Sequence, residues 1–332
     1  MSNLQDVATA ANVSPSTVSR YLNKRIELPP ETARRIDEAI SALDYRPNLL
    51  AKRLSLGRTE AIGLVTPEIS NPFFADLAAA VEDEAGKHGY SVFMTSTGGH
   101  REREIASLRR LQDRHVDGLL MMTNQPDDGT LASAMGQHDH IVLIDEDIPG
   151  VNVPKVFVEN RNGAYLATGH LIAAGHRRIA HIGGPDHLFS AVERLSGFRD
   201  AMEEAGLAIE PDHLRFGAYS RDFGFEAMNA ILAAGVPPTA VFAGSDFIAI
   251  GVMKAIKTHG LRVPGDISLV GFDDMPFADL LAPALTTVRQ PAGELGRTGL
   301  RALLALIEKR TPAPLTRLPV TLVRRESVAP PH

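Results

Sequence analysis

The chain contains no cysteine and no tryptophan. Without cysteine, a disulfide framework, a thiolate zinc site and a cysteine nucleophile are all excluded, and a cytoplasmic location is expected. No stretch approaches the roughly 18 uninterrupted apolar residues of a membrane-spanning helix, so no membrane association is expected. The opening residues, MSNLQDVATA, lack the basic segment and apolar run of a secretory leader. A general basic excess is missing too, since the net charge is −6 at pH 7. The motifs that mark many enzymes on doubly wound folds are also absent: G-x-S-x-G, the P-loop, and G-x-G-x-x-G after a strand. No enzymatic activity and no cofactor are expected. His138, His140, His170, His176, His181 and His187 are scattered without an acidic cluster at ligand spacing, so no metal site is expected.

What is present begins with size. At 332 residues, two or three domains are expected. Residues 1–58 carry a small excess of Lys and Arg over Asp and Glu, which leaves the remainder acidic. A mildly basic head on an acidic body suits a small nucleic-acid contact region attached to a larger sensor.

Residues 1–45 follow a helical pattern, with Leu4, Val7, Ala8 and Ala11 at helical spacing. Asn12 stands where a tight turn requires a residue tolerant of positive φ. Ser14 is placed as an N-cap and Pro15 as the first helical residue, where its missing N–H costs nothing. The second helix then buries Val18, Tyr21 and Leu22. Its other face carries Pro15, Ser16, Thr17, Ser19, Arg20 and Asn23. Such a small, polar face fits a major groove. Arg20 suits a bidentate contact to guanine, and Ser14, Thr17, Ser19 and Asn23 suit phosphate oxygens. The plainer alternative is a three-helix bundle whose second helix is merely solvated.

Residues 46–58, RPNLLAKRLSLGR, combine exposed Leu with Lys and Arg. One or two turns of such a helix are not stable alone. Docked on DNA they could form, with Leu54 wedged between base pairs of the minor groove; packing of Leu54 on the body is the alternative.

From residue 61 the rhythm becomes strand, helix, strand, helix. Strands are predicted at 61–67, 90–96, 118–122, 141–145, 156–159, 178–183, 214–219, 240–244 and 267–273. Helices are predicted at 71–89, 102–114, 162–174, 190–205 and 247–259. Alternation of this kind gives parallel sheets covered by helices, and its restart after 149–154 implies two similar lobes. Polar residues fall at the carboxyl ends of these strands: Asp145 after IVLI, Asp246 after AVFAGS, Asp273 after SLVGF, with Arg194 in RLSGF. Carboxylates accept hydrogen bonds from hydroxyls and Arg donates as a planar fork, a combination suited to a polyhydroxylated ligand. Phe73 or Phe74 and Tyr219 could stack on a sugar face or a base. Asp246 could equally cap the following helix, Phe73 and Phe74 could be core, and Arg194 could pair with Glu193.

The chain resembles the lac/gal repressor family. The resemblance is carried by DVATAANVSPSTVSRYLN, by the run from PPETARRIDEAISALDYRPN to GRTEAIGLV, and by NPFFADL, HVDGLL, GHRRIAHIGGP, RLSGFRDAMEEAGL, AVFAGSDFIAIG, VPGDISLVGFDD and LTTVRQP. It covers nearly the whole chain, in the family's order. It implies a small all-α helix-turn-helix head on an α/β, periplasmic-binding-protein-like body of two doubly wound parallel-sheet lobes. The implied domains are 1–45 for DNA binding, 46–59 for hinge and linker, and 60–332 for effector binding and dimerisation. Within the last, one lobe is 60–160 with 290–318 and the other 161–289 with 319–332. The implied partners are double-stranded operator DNA, a small-molecule effector and a second copy of the chain. No leucine heptad tail follows VRRESVAPPH, so a homodimer rather than a tetramer is expected. Phe73, Phe74, Asp145, Ser190, Arg194, Tyr219, Asp246 and Asp273 match effector-contact positions, with Gln290 a weaker candidate. Purine-responsive members carry Arg where this chain has Leu188. A leucine cannot donate to a base carbonyl, which favours a sugar or sugar derivative over a nucleobase.

Overall fold

The structure is a computed structural model that describes residues 2–22, 26–45, 58–126 and 128–332. It divides into two compact units, 1–59 and 60–332.

The first unit holds α1 (Leu4–Ala10), α2 (Pro15–Leu22) and α3 (Pro30–Ala42). Asn3 opens α1 in a capping box with Asp6, satisfying backbone N–H groups that the first turn leaves unpaired. Asn12 has φ 53°, so the turn between α1 and α2 uses the left-handed conformation expected of it. Val7, Ala8, Ala11, Val18, Ile36 and Ala39 form the buried core, with Tyr21 and Leu22 packed at its edge. The Tyr21 hydroxyl also donates to Asp37 Oδ2 at 2.9 Å, tying α2 to α3.

In the second unit, β1 (Ala61–Thr66), α4 (Pro72–Lys87), β2 (Ser91–Ser96), α5 (Arg101–Gln112), β3 (Gly118–Met121), α6 (Thr130–Met135), β4 (Ile141–Ile144) and β5 (Lys155–Val158) come first. Then follow α7 (Asn160–Ala173), β6 (Ile179–Gly183), α8 (Phe189–Glu204), β7 (Leu214–Phe216), α9 (Arg221–Ala233), β8 (Ala240–Ala243), α10 (Asp246–Thr258) and β9 (Ser268–Val270). The chain ends with β10 (Thr287–Arg289), α11 (Ala292–Ile307), β11 (Leu315–Leu318) and β12 (Thr321–Val323).

One sheet has the order β11-β5-β4-β3-β1-β2 and the other β7-β6-β8-β9. Every pairing within these two sheets is parallel. β10 and β12 form a separate antiparallel pair. Parallel strands covered on both faces need continuous apolar runs. AIGLVT, GLLM, IVLI and AVFA are such runs, and every one of their residues is buried.

The chain passes between the two layers three times: from β5 into α7, from β10 into α11, and from β11 into β12. In the second layer the helices meet backbone to backbone. A Cβ added at Gly197 of α8 would lie 1.9 Å from the Arg161 carbonyl oxygen of α7, and one at Gly251 of α10 would lie 2.0 Å from the Arg221 carbonyl oxygen of α9. Glycine is therefore a requirement of helix packing at these two positions. Among the described residues no helix is long and apolar enough to cross a membrane, and no group of three or more His, Asp or Glu side chains is arranged to hold a metal ion. His181 instead stacks between Phe198 and Phe242 and is held neutral by burial, its pKa lowered to about 4.

Candidate functional site

The body contains a cleft of about 570 Å³ at the carboxyl ends of both parallel sheets, the place where open α/β sheets bind ligands. From the six-stranded sheet, the loops after β1, β3 and β4 bring Glu68, Asn124, Gln125, Asp145 and Glu146, and the start of α4 brings Phe73 and Phe74. From the four-stranded sheet come Leu188, Ser190 and Arg194 around the start of α8, Tyr219 after β7, Phe247 on α10, and Asp273 after β9. Gln290, after β10, completes the set.

Arg194 is the organising cation, 4% exposed. Its Nε donates to Asn160 Oδ1 at 2.9 Å and its Nη1 to the Gly244 carbonyl at 2.6 Å. The guanidinium lies over the Phe272 ring at 3.8 Å and stands 3.8 Å from Asp273 Oδ1. It does not pair with Glu193, which is engaged bidentately by Arg317 at 2.8 and 2.9 Å. Gln290 Nε2 donates to Asp273 Oδ1 at 2.6 Å. Asp145 and Asp273 both have positive φ, 71° and 115°. Backbone held in such regions costs free energy and concentrates at functional sites.

Glu146 bridges the cleft. It is buried, accepts from the Ser190 backbone N–H at 3.1 Å, and accepts a second, short bond from the Ser190 hydroxyl. The α8 N-cap residue is Leu188, which has no side-chain cap of its own. A carboxyl group from the opposite layer thus satisfies the first turn of α8. Ser190 Oγ also lies 3.0 Å from the Tyr219 hydroxyl. Tyr219 packs over Gly184, where a Cβ would sit 2.1 Å from the ring.

Burial raises the pKa of the acids here. Glu146 is pushed up to about 8 by burial and then by the charge of Asp145, against the pull of its Ser190 bonds. Asp273 is pushed up to about 7 by burial, opposed by Arg194 and by the Gln290 bond. Burial also raises Asp145, opposed by Arg194, and raises the Tyr219 phenol, which therefore stays a neutral hydroxyl.

Of the residues singled out in the sequence, Phe73, Phe74, Asp145, Ser190, Arg194, Tyr219, Asp273 and Gln290 come together at the cleft. Phe73 also belongs to the core, and the two phenyl rings meet edge to face at 5.3 Å. Asp246 is not among the lining residues, although its neighbours Ser245 and Phe247 are. Its carboxylate accepts from the Met275 N–H at 2.8 Å and the Thr287 hydroxyl at 2.6 Å, bracing the segment after β9 against β10. Nor does it cap α10, a role taken by Ser245. Glu146 was missed. It stands in a run of three acids, Asp145-Glu146-Asp147, and only the fold separates Glu146 from Asp147, which forms an ion pair with Lys155.

In the first unit, Ser16 and Arg20 are exposed one helical turn apart on α2, beside the half-buried Pro15, Thr17 and Ser19. Ser14 caps the helix: its Oγ accepts from Thr17 N–H at 3.2 Å and lies 2.8 Å from both the Ser16 and Thr17 hydroxyl oxygens. No acid occupies the first turn of α2, so the partial positive charge of the helix start is not opposed there. Asn23 and Leu54 lie outside the described residues.

Comparison with known proteins gives a consistent relationship. The family described as bacterial regulatory proteins, lacI family, matches residues 3–48, and a periplasmic binding protein-like domain matches residues 168–328. A ribose operon repressor of Halalkalibacterium halodurans is 37% identical over 333 residues, spanning 98% of this chain and 97% of that protein. The HTH-type transcriptional repressor PurR of Haemophilus influenzae is 35% identical over 308 residues, spanning 92% and 91%. Among solved structures, the lac repressor dimer bound to operator and the anti-inducer ONPF superposes with a TM-score of 0.88 at 29% identity, covering 99% of both chains. The transcriptional regulator CelR in complex with cellobiose gives 0.75 at 31% identity, covering 99% of this chain and 100% of that one. With its helix-turn-helix head and its two-sheet body, the chain belongs to the lacI family of bacterial regulatory proteins and is a DNA-binding transcriptional regulator, not an enzyme.

Proposed function

We propose that the chain represses transcription as a homodimer, binding a near-palindromic operator and releasing or holding it according to a sugar or sugar derivative bound in the cleft. Residues 60–160 with 290–318 and 161–289 with 319–332 act as the two lobes. The exposed face of α2 enters the major groove, with Arg20 and Ser16 at base edges and Ser14, Thr17, Ser19 and Asn23 near phosphates. Two such helices in a dimer address half-sites about one or a few helical turns apart. Leu54 wedges into the minor groove at the operator centre. The effector biases the equilibrium between DNA-competent and DNA-incompetent lobe arrangements by its differential affinity for the two.

The observation that carries the effector reading is the cleft's chemistry: a fixed Arg194 fork, carboxylates as acceptors, and Phe73, Phe74 and Tyr219 as stacking surfaces. Leu188, buried on the lining, has no donor for a base carbonyl. Relatives named for ribose and cellobiose support a sugar, and the relative named PurR keeps a nucleobase as the competing outcome.

Gel shifts of the purified chain on upstream DNA, repeated with a panel of sugars, sugar derivatives and purines, test the whole reading. A sugar that changes operator affinity is the expected result, and a response to purines alone would overturn the effector class. Arg20→Ala is expected to lose discrimination between operator and scrambled DNA, and Leu54→Ala to bind more weakly and bend the duplex less. Full retention of both properties would refute the DNA-reading assignments.

A further inference from the structure

Five acids line the cleft, Glu68, Asp145, Glu146, Asp186 and Asp273, against one arginine. Asp186 lies 3.7 Å from His187, and Asp273 faces Arg194. Among the described residues, no cationic side chain forms an ion pair with Asp145 or Glu146. The buried polar atoms of the lining that lack a hydrogen-bond partner are acceptors: Asp145 Oδ1 and Gln290 Oε1, the latter on a residue 6% exposed. The lining thus asks its occupant for O–H or N–H donors.

Helix starts are where such a cleft would otherwise hold an anion. Here they are already satisfied. Asn71 caps α4, Ser220 caps α9 and Ser245 caps α10 through their own side chains. The first turn of α8, with no side-chain cap of its own, is occupied by the carboxyl group of Glu146. An incoming phosphate or carboxylate would find the N–H donors of that turn already taken by the Glu146 carboxyl group, with Asp145 and Asp273 further along the lining.

We propose that Glu146 is a specificity-determining residue that confines the effector to uncharged or cationic hydrogen-bond donors and rejects phosphorylated and carboxylated forms. The proposal rests on the reading of this cleft as the effector site. It explains a geometry the sugar assignment leaves open: an acid from one layer fills the anion-receptive helix start of the other.

The test is calorimetry on the full chain at pH 7 with two matched series: D-ribose with ribose 5-phosphate, and D-glucose with glucosamine, glucuronate and glucose 6-phosphate. In any series that binds, the neutral or amino member is expected to bind at least about ten-fold more tightly than its anionic counterpart. Glu146→Ala, which withdraws the acceptor and frees the first turn of α8, is expected to bring the anionic member to within about three-fold, whereas Glu146→Gln, which keeps an acceptor there, is expected to leave the preference in place. An anionic member that binds the wild type as tightly as its parent, or a ratio unchanged by Glu146→Ala, overturns the proposal. If no member of either series binds, the choice of sugar is at fault, and the burial of the Glu146 carboxyl group at the start of α8 is decided without a ligand. The melting temperature of the wild type, relative to Glu146→Gln, is expected to fall as pH rises from 5 to 8.5, because an uncompensated buried carboxyl holds its proton in the folded state and loses it early in the unfolded one. Asp145, Arg194 and Tyr219, the titratable groups that act on Glu146, are present in both proteins, so the difference between the two profiles isolates Glu146. Parallel profiles would overturn the proposal.

Discussion

Replacing Arg194 by Met removes the cleft's cation while keeping most of its volume. The guanidinium makes two charge-assisted hydrogen bonds, to Asn160 Oδ1 and the Gly244 carbonyl, and covers the Phe272 ring. Each such bond contributes about 1.5–3 kcal/mol, and a desolvated cation over an aromatic face about 2 kcal/mol. Met recovers part of the ring contact but leaves two buried acceptors without donors. Breaking a buried ionic arrangement on one side costs about 3–5 kcal/mol, and we expect a loss in that range. For a domain of this size it corresponds to a drop of roughly 10 °C in melting temperature.

The loss should also depend on pH, and its sign is fixed. Arg194 lowers the pKa of both Asp145 and Asp273. Without it both carboxyls rise further above their unfolded values. Groups of that kind add stability while protonated and lose it as pH rises, so the deficit of Arg194→Met should be larger at pH 8 than at pH 5.5. Arg194→Lys keeps the charge but not the planar fork. It should recover much of the pH dependence and little of the effector binding. Thermal unfolding of the three proteins at both pH values measures this. A melting temperature for Arg194→Met within about 2 °C of wild type at pH 8, or a deficit equal at both pH values, would refute the assignment of Arg194 as the group that holds these acids.

Two further outcomes follow from packing and bracing. Gly197→Ala should destabilise the body by about 1–3 kcal/mol, because α7 and α8 must separate to admit a methyl group 1.9 Å from the Arg161 carbonyl; unchanged thermal unfolding would contradict the close approach. Asp246→Ala should cost about 2–4 kcal/mol by orphaning the Met275 N–H and the Thr287 hydroxyl. Calorimetry should nonetheless find its rank order of effectors unaltered, and a reordered preference would return Asp246 to the ligand site.

Most of the architecture was legible because buried parallel strands write themselves as unbroken apolar runs. The strand predicted at 141–145 forms as Ile141–Ile144. The extra residue, Asp145, leaves the sheet with positive φ to reach the cleft. The strand predicted at 214–219 stops at Phe216 for a similar reason, since Gly217 to Ser220 turn into the lining. The sequence pattern marked no helix at α9 or α11. The site was legible where a polar residue ends an apolar run, as at Asp145 and Asp273. The same rule also picks out Asp246, which follows a strand but turns its carboxylate toward Met275 and Thr287. Glu146 was illegible because its partner, Ser190, is 44 residues away. Periodicity carries no information about which of three consecutive acids meets a distant helix.

The contacts at Gly197 and Gly251 have a mechanical consequence. Helices in contact through their backbones have no side chains to repack, so the pairs α7 with α8 and α9 with α10 can neither slide nor spread without collision. The second layer then behaves as a stiff plate. Any rotation of that plate against the first layer is then taken up by the φ and ψ angles of three short connections, at 158–160, 289–292 and 318–321. A ligand bridging the cleft therefore turns the second layer as a whole rather than squeezing it locally.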